Sequence, residues 1–263
     1  MVQLIFEDTM KTITIPYSYD NYGYLLVDEK SSSAAAIDPG EAYPVMAALE
    51  KNNAVLKKIF CTHHHQDHVG GIRELLKDYP KIEVICHAAD KGRIDGVTSF
   101  VEHGDTVALE DFQGSVLHTP GHTLGSVCYR FSNALFTGDT VFGGGCGRLF
   151  EGSAEQMFES LHSITAACDD STNIFFAHEY TGKNLEFALQ VEPENNAIHK
   201  RLLALRRSGG TSTPSTLRLE KETNPFFRSS QQEIKKGLIL RGIADLRSER
   251  DVFAQLRLLR NSF

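Results

Sequence analysis

No apolar run in this chain of 263 residues approaches the roughly 18 residues that a membrane-spanning helix requires. The start, Met1 to Pro16, alternates polar and apolar residues and lacks the basic stretch followed by an apolar stretch that marks a secretion leader. A soluble, cytoplasmic chain is expected. Cysteine is sparse: Cys61, Cys86, Cys128, Cys146 and Cys168 are odd in number, widely spaced and free of any CxxC pair. That pattern excludes a disulfide framework and a zinc ribbon, and predicts reduced thiols, most of them packed in apolar strands. No repeat of 20 to 50 residues is visible. The one low-complexity stretch, Ser31 to Ala36, reads as a hairpin turn. A GxSxG nucleophile elbow is also missing, and Cys146 has no base partner in sequence, which argues against covalent catalysis.

With 41% hydrophobic and 23% charged residues the composition is that of an ordinary globular protein. Its length predicts one or two domains. The net charge of −7 hides an asymmetry. Residues 197–263 hold 14 basic and 6 acidic side chains, a net of +8, which leaves −15 on the first 196 residues. Opposed halves suggest different tasks.

Short β-type runs fill the first two thirds: Lys11 to Ile15, Tyr22 to Val27, Ala34 to Ile37, Lys57 to Thr62, Ile82 to His87, Gly114 to His118, Ser126 to Phe131, Ala134 to Thr137 and Asn173 to Ala177. Helical patterns fall at Pro44 to Lys51, at Val69 to Tyr79, and from a Ser153 cap to Ala167. Mixed in this order they predict a layered α/β (α+β) domain. Beyond about residue 180 the strands stop. Lys183 to Gln190, Pro193 to Arg207, Gln231 to Leu240 and Ala244 to Asn261 read as helices, with Ser208 to Arg228 as a long irregular connection. The domains expected are 1–178 and a smaller, mostly helical 179–263.

The eleven histidines are informatively placed. Behind the strand ending at Thr62 comes His63-His64-His65-Gln66-Asp67-His68. On extended backbone His63 and His65 project the same way and His64 oppositely. His64 and Gln66 are therefore spacers. Asp67 and His68 follow where the chain turns into a helix. Pro120-Gly121-His122, Gly138-Asp139 and Ala177-His178 each lie where a strand meets a loop. These seven divide as His63, His65 and His122 for one metal, Asp67, His68 and His178 for a second, and Asp139 between them. Imidazole with carboxylate suits zinc, iron or manganese. His87, His103, His118, His162 and His199 read as solvated or capping residues.

The ordered set of an HxHxDH motif, Gly121-His122, Gly138-Asp139 and His178 resembles the metallo-β-lactamase superfamily. Within it the chain is similar to the glyoxalase II (hydroxyacylglutathione hydrolase) family over nearly its whole length. Asp20-Asn21-Tyr22, Gly144 to Gly152, Ala177 to Thr181, Thr213 to Thr216 and Asn224 to Arg228 carry that likeness. The resemblance implies a four-layer αββα sandwich followed by a helical domain. It implies two divalent metal ions, with zinc preferred over iron or manganese, and hydrolysis of S-(2-hydroxyacyl)glutathione thioesters such as S-D-lactoylglutathione, the second step of methylglyoxal detoxification. A hydroxide bridging the two metals would be the nucleophile, with no further catalytic residue needed, since thiolate is a tolerable leaving group.

The family's glutathione contacts fall on Arg148, Tyr180, Arg247 and Arg250. Arg247 and Arg250, three apart on an expected helix, would share a face and grip one carboxylate. Phe150 stands where many members have Tyr, and Arg250 where Lys is common. Asn21 and Gly143 to Gly145 read as turn and packing elements. A single-iron persulfide dioxygenase-like enzyme, a phosphodiesterase or nuclease, and a non-enzymatic glutathione-conjugate binder are the alternatives. The seven-ligand set opposes the first and last. The absence of a dense Lys/Arg run interleaved with aromatics opposes nucleic acid. A monomer is expected.

Overall fold

The β-branched and aromatic run near the start folds into an antiparallel hairpin of β1 (Met10–Pro16) and β2 (Tyr22–Asp28), closed where Tyr17 N donates to Asn21 O over 2.9 Å. In this computed structural model, which describes residues 10–209 and 211–263, the chain divides into two units, Met1–Val116 and Leu117–Phe263. The leader reading of residues 1–9, and Gly210 of the expected connection, lie outside the described residues.

In the first unit β3 (Ser33–Ile37) joins β2 antiparallel. Then come α1 (Ala42–Lys51), β4 (Val55–Phe60), α2 (Gln66–Val69), α3 (Ile72–Asp78), β5 (Glu83–His87) and β6 (Ser99–Val101). The sheet order is β1-β2-β3-β4-β5-β6, parallel from β3 onward. Parallel strands with helical crossovers are covered on both faces, so Ser33–Ile37 is buried at every residue. Leu25, Val45, Leu49, Ile59, Ile72, Leu75 and Val84 share its core. Because β3, β4 and β5 run the same way, the residues that follow them emerge at one edge of the sheet. Those residues are Asp38, the segment from Thr62 to His68, and Asp90. β7 (Thr106–Leu109) pairs antiparallel with β8 (Phe112–His118), and the unit boundary falls within β8, after Val116.

The second unit holds β9 (Val127–Phe131), β10 (Ala134–Gly138), β11 (Val141–Phe142), β12 (Gly145–Cys146), α4 (Ala154–Ala167), β13 (Asn173–Phe176), α5 (Thr181–Val191), α6 (Asn196–Ser208), β14 (Ser215–Thr216), α7 (Leu217–Thr223), α8 (Gln232–Leu240) and α9 (Glu249–Asn261). Its own strands run in the order β14-β13-β10-β9. Since β10 and β13 are parallel, Asp139 and His178 leave the same end of neighbouring strands. Ser153 caps α4 through a capping box with Gln156. Phe158, Leu161, Phe187, Phe226, Phe253 and Leu256 lead the core.

Several expected boundaries move. The helix expected over Val69 to Tyr79 is broken at Gly70-Gly71 into α2 and α3. The Ser31–Ala36 stretch turns only as far as Ser32, after which β3 begins. The connection expected to be irregular, Ser208 to Arg228, contains β14 and α7. β6 and β7, too short for a pattern, were not expected. The helix expected from Ala244 starts at Glu249, because Ser248 and Asp251 close a capping box there. All five cysteines are buried and free.

One buried ion pair organises the second unit. Glu220, fully buried, accepts from Arg201 Nη2 at 2.6 Å and from Ser215 Oγ at 2.5 Å on Oε1. Its Oε2 accepts from Gly144 N at 2.8 Å and Asn224 Nδ2 at 3.0 Å. Asn224 Nδ2 also reaches Gly145 O at 2.9 Å. The pair thus ties α6 and α7 to the Gly143–Cys146 loop. Removing one partner strands the other charge. Arg201→Ala is expected to lower unfolding free energy by about 3–5 kcal/mol in denaturant titration, and a loss under about 1 kcal/mol would refute this role.

Candidate metal centre

The two units are taken in turn. In the first, Asp38 follows β3 with φ +50°, a left-handed conformation that Asp tolerates better than most residues. Asp38 Oδ1 accepts from Thr62 N at 2.7 Å. Its Oδ2 accepts from Thr62 Oγ1 at 2.6 Å and faces His68 Nδ1 at 3.0 Å. A carboxylate only accepts, so His68 carries its proton on Nδ1 and a lone pair on Nε2. Thr62 has given its one hydroxyl proton to Asp38, so at 3.1 Å it accepts from His63 Nδ1. His63 Nε2 is then also the lone-pair nitrogen. Both rings are buried and locked in the tautomer that metal ligation needs. His63 Nε2 stands 3.1 Å from His65 Nδ1, and His68 Nε2 stands 3.6 Å from Asp67 Oδ2. Asn21 Nδ2 holds the Asp67 carbonyl at 2.7 Å. His64 turns to the buried Asp90, with Nδ1 to Oδ1 at 3.0 Å.

In the second unit His122 sits on the turn between β8 and β9. Its Nδ1 donates to Arg148 O at 2.7 Å, leaving the lone pair on Nε2. That Nε2 faces Asp139 Oδ2 at 3.3 Å, while His178 Nε2 faces Asp139 Oδ1 at 3.4 Å. Each oxygen of one buried carboxylate therefore addresses a different imidazole. The fit at Gly147 is close: a Cβ there would fall 2.0 Å from Asp139 O and 3.0 Å from His122 Nδ1. His178 stacks on Tyr180, with centroids 5.0 Å apart and planes 2° from parallel.

The donor set suits a divalent metal on geometry as well as type. Two ligands each about 2.0–2.1 Å from a tetrahedral cation stand about 3.3 Å from one another. The four pairs above stand at 3.1, 3.6, 3.3 and 3.4 Å. A charge-assisted hydrogen bond would draw imidazole and carboxylate to about 2.7–2.9 Å instead. Burial pushes the Cys146 thiol's pKa up, against a smaller opposing effect of Arg257, so it is no thiolate nucleophile. His87 caps a short turn by accepting from Ala89 N, and His162 and His199 bond to backbone carbonyls.

The expected substrate residues are differently placed. Arg148 is exposed beside His122, and Tyr180 is half-buried on His178. Arg247 and Arg250 do not share a helix face: Arg247 precedes the Ser248 cap, while Arg250 lies in the first turn of α9. Arg247 pairs with Asp245 at 2.7 Å, and Arg250 pairs with Glu155 at 3.0 Å and Glu159 at 2.5 Å, both on α4. Phe150 is exposed and meets the His122 ring edge-on at 5.2 Å. Asp38 escaped the sequence reading, although an acidic residue before Pro39-Gly40 at the end of an apolar strand was its signal.

Residues 24–178 match the metallo-beta-lactamase superfamily model, and residues 179–263 match the model of the hydroxyacylglutathione hydrolase C-terminus. A hydroxyacylglutathione hydrolase of Synechococcus sp. (strain PCC 6301) is 44% identical over 259 residues, spanning 93% of this chain and all of the relative. The chain belongs to the hydroxyacylglutathione hydrolase family. A second relative of that name, from Photobacterium profundum, is 43% identical over 95% of this chain and 98% of its own. The fold is that of the metallo-β-lactamases. A crystal structure of a metallo-beta-lactamase from Staphylococcus aureus superposes with TM-score 0.66 at 24% identity, over 97% of this chain and 72% of that one. No helix among the described residues is long and apolar enough to cross a membrane.

Outer-shell partners that fix a ligand histidine are commonly worth 10–100-fold in metal affinity. Asp38→Ala is expected to lose metal at roughly 10–100-fold weaker chelator in competition dialysis read by elemental analysis. Wild-type retention would remove Asp38 from this role.

Proposed function

We propose that the chain is a binuclear metallohydrolase that cleaves S-(2-hydroxyacyl)glutathione thioesters, S-D-lactoylglutathione among them, to glutathione and a 2-hydroxy acid. The observation that carries the reading is Asp139, whose two oxygens address His122 and His178 at 3.3 and 3.4 Å, in a chain 44% identical to a hydroxyacylglutathione hydrolase along that relative's full length. Residues 1–178 are read as the catalytic domain and residues 179–263 as the glutathione-binding domain. His63, His65 and His122 would hold one cation, Asp67, His68 and His178 the other, and Asp139 both. Zinc is the preferred pair, with iron and manganese accepted by the same donors.

When bound, a pair of divalent cations supplies a hydroxide nucleophile at neutral pH and polarises the thioester carbonyl. The chain's own contribution is orientation. Asp38 and Thr62 hold the protons of His68 and His63 on Nδ1, and the Arg148 carbonyl holds that of His122. In the neutral rings the bare nitrogen is therefore Nε2, the atom a cation would take. Arg148, Tyr180, Arg247 and Arg250 take the peptide part of the substrate. The carboxylates that Arg247 and Arg250 already hold are exposed partners, and such pairs are worth only about 0–1 kcal/mol, so exchange for a substrate carboxylate is cheap. The protein is proposed to act as a cytoplasmic monomer, and its five buried, free cysteines suit a reducing compartment.

Purified, metal-loaded protein is expected to turn over S-D-lactoylglutathione, to stop on prolonged chelation and to recover when zinc is returned. Consumption of a phosphodiester or of glutathione persulfide with the thioester left intact would sink the assignment. Arg247→Ala combined with Arg250→Ala should raise the thioester KM by about tenfold while moving kcat far less, as loss of ground-state binding requires. An unchanged KM would take both residues out of the site.

A further inference from the structure

Five of the ten arginines in residues 179–263 pair with a carboxylate. Arg201 holds Glu220, Arg206 holds Glu186, Arg228 holds Glu192, and Arg247 and Arg250 are paired as described. Arg148, Arg257 and Arg260 have none among the described residues. Arg257 and Arg260 lie three residues apart on one face of α9. Arg257 is 5% exposed, yet its guanidinium meets only neutral groups: Nη1 donates to Cys146 O at 2.7 Å and Gly147 O at 3.2 Å, Nη2 donates to Asn261 Oδ1 at 3.2 Å, and Nε is buried without an acceptor. Arg260 is half-buried, with Nε donating to Asn184 Oδ1 at 3.1 Å. Burial above all, then the charge of Arg257 and more weakly that of Arg148, presses its pKa below the ordinary arginine value. Two guanidinium groups thus lie on one face of α9 with no carboxylate paired to either among the described residues, a costly arrangement unless an anion completes it.

The cluster adjoins the metal histidines of its own unit. Arg257 grips the carbonyls of Cys146 and Gly147, and the next carbonyl along, that of Arg148, orients His122. Asn184, which accepts from Arg260, stands one helical turn after Tyr180, its N donating to Tyr180 O at 2.9 Å, and the Tyr180 ring lies on His178. An anion held by Arg260 therefore belongs to a molecule whose other end reaches these ligands. A thioester of a peptide carrying two free carboxylates has that shape and charge. Arg247 and Arg250, whose exposed partners exchange cheaply, leave a second carboxylate of such a substrate to be held elsewhere.

We propose that Arg260 is a specificity-determining residue that receives one carboxylate of the substrate's peptide part, with Arg257 beneath it as a positioning residue for the Cys146–Arg148 loop. The inference rests on the thioester hydrolase reading and deepens it. Arg260 gives the site a preference for an anionic thiol over a neutral one of equal length.

The test compares wild type, Arg260→Gln and Arg260→Lys on S-D-lactoylglutathione and on its diethyl ester, in which both peptide carboxylates are masked. Arg260→Gln is expected to raise KM for the free acid about tenfold with kcat within about twofold, and to leave kcat/KM for the diester within about twofold of wild type. Arg260→Lys keeps the charge but loses the planar fork, so a rise of about threefold is expected. An unchanged KM for the free acid overturns the proposal, and so does an equal loss on free acid and diester, which would mark a structural role. Should Arg260→Gln fail to fold, Arg260→Lys decides alone, a wild-type KM being the refuting result. If wild type hydrolyses neither thioester, the hydrolase reading fails separately. Calorimetric titration with glutathione then decides the anion site, and equal Kd for wild type and Arg260→Lys overturns it.

Discussion

A single carboxylate sets the chemistry of the first histidine cluster. Asp38 takes up the Thr62 backbone, the Thr62 hydroxyl and the His68 ring, and through Thr62 it fixes His63 as well. Imidazole can place its proton on either nitrogen, and only one choice leaves the ligating atom bare. Local sequence cannot make that choice, because the decisive acceptor comes from the neighbouring parallel strand. The left-handed backbone at Asp38 is the strain accepted to aim this carboxylate across the strand ends.

The second unit solves the same problem with different material. His122 is fixed by a main-chain carbonyl, that of Arg148, rather than by an acid. A neutral acceptor adds no charge beside Asp139, so the carboxylate keeps the dominant negative charge at that point. Tyr180 on His178 and Phe150 on His122 wall the imidazoles with aromatic surface. Apolar walls lower the local dielectric and strengthen the attraction of a carboxylate for a cation.

The seven proposed ligands rest on local signals in the sequence: His63, His65, Asp139 and His178 follow strand ends, His122 a Pro-Gly turn, and Asp67 and His68 open a helix. His63 and His65, two apart on extended backbone, needed only the period of a strand. Asp38 was not legible, since its role depends on which strand lies beside β4, a long-range fact. Arg247 was misplaced by a boundary: periodicity continues through Leu246, and only the Ser248–Asp251 box shows where the helix begins. The helix α7 hid inside a stretch flanked by Pro214 and Pro225, where breakers outweighed the short apolar pattern. Arg257 and Arg260 looked like ordinary surface charges, and only burial without a counter-ion distinguishes them.

The Arg201–Glu220 pair has a bearing on how such a protein can be taken apart. Glu220, from the helical segment, holds the Gly144 amide, while the same loop runs on to the carbonyl that sets His122. The point at residue 178 where one recognisable sequence module gives way to the next is therefore not a mechanical joint. Grafting a foreign tail after residue 178 would leave the Gly144 amide without its acceptor and the histidine turn without its brace. Two segments that read as separate modules in the sequence thus share one support in the folded molecule, through Glu220 and Asn224.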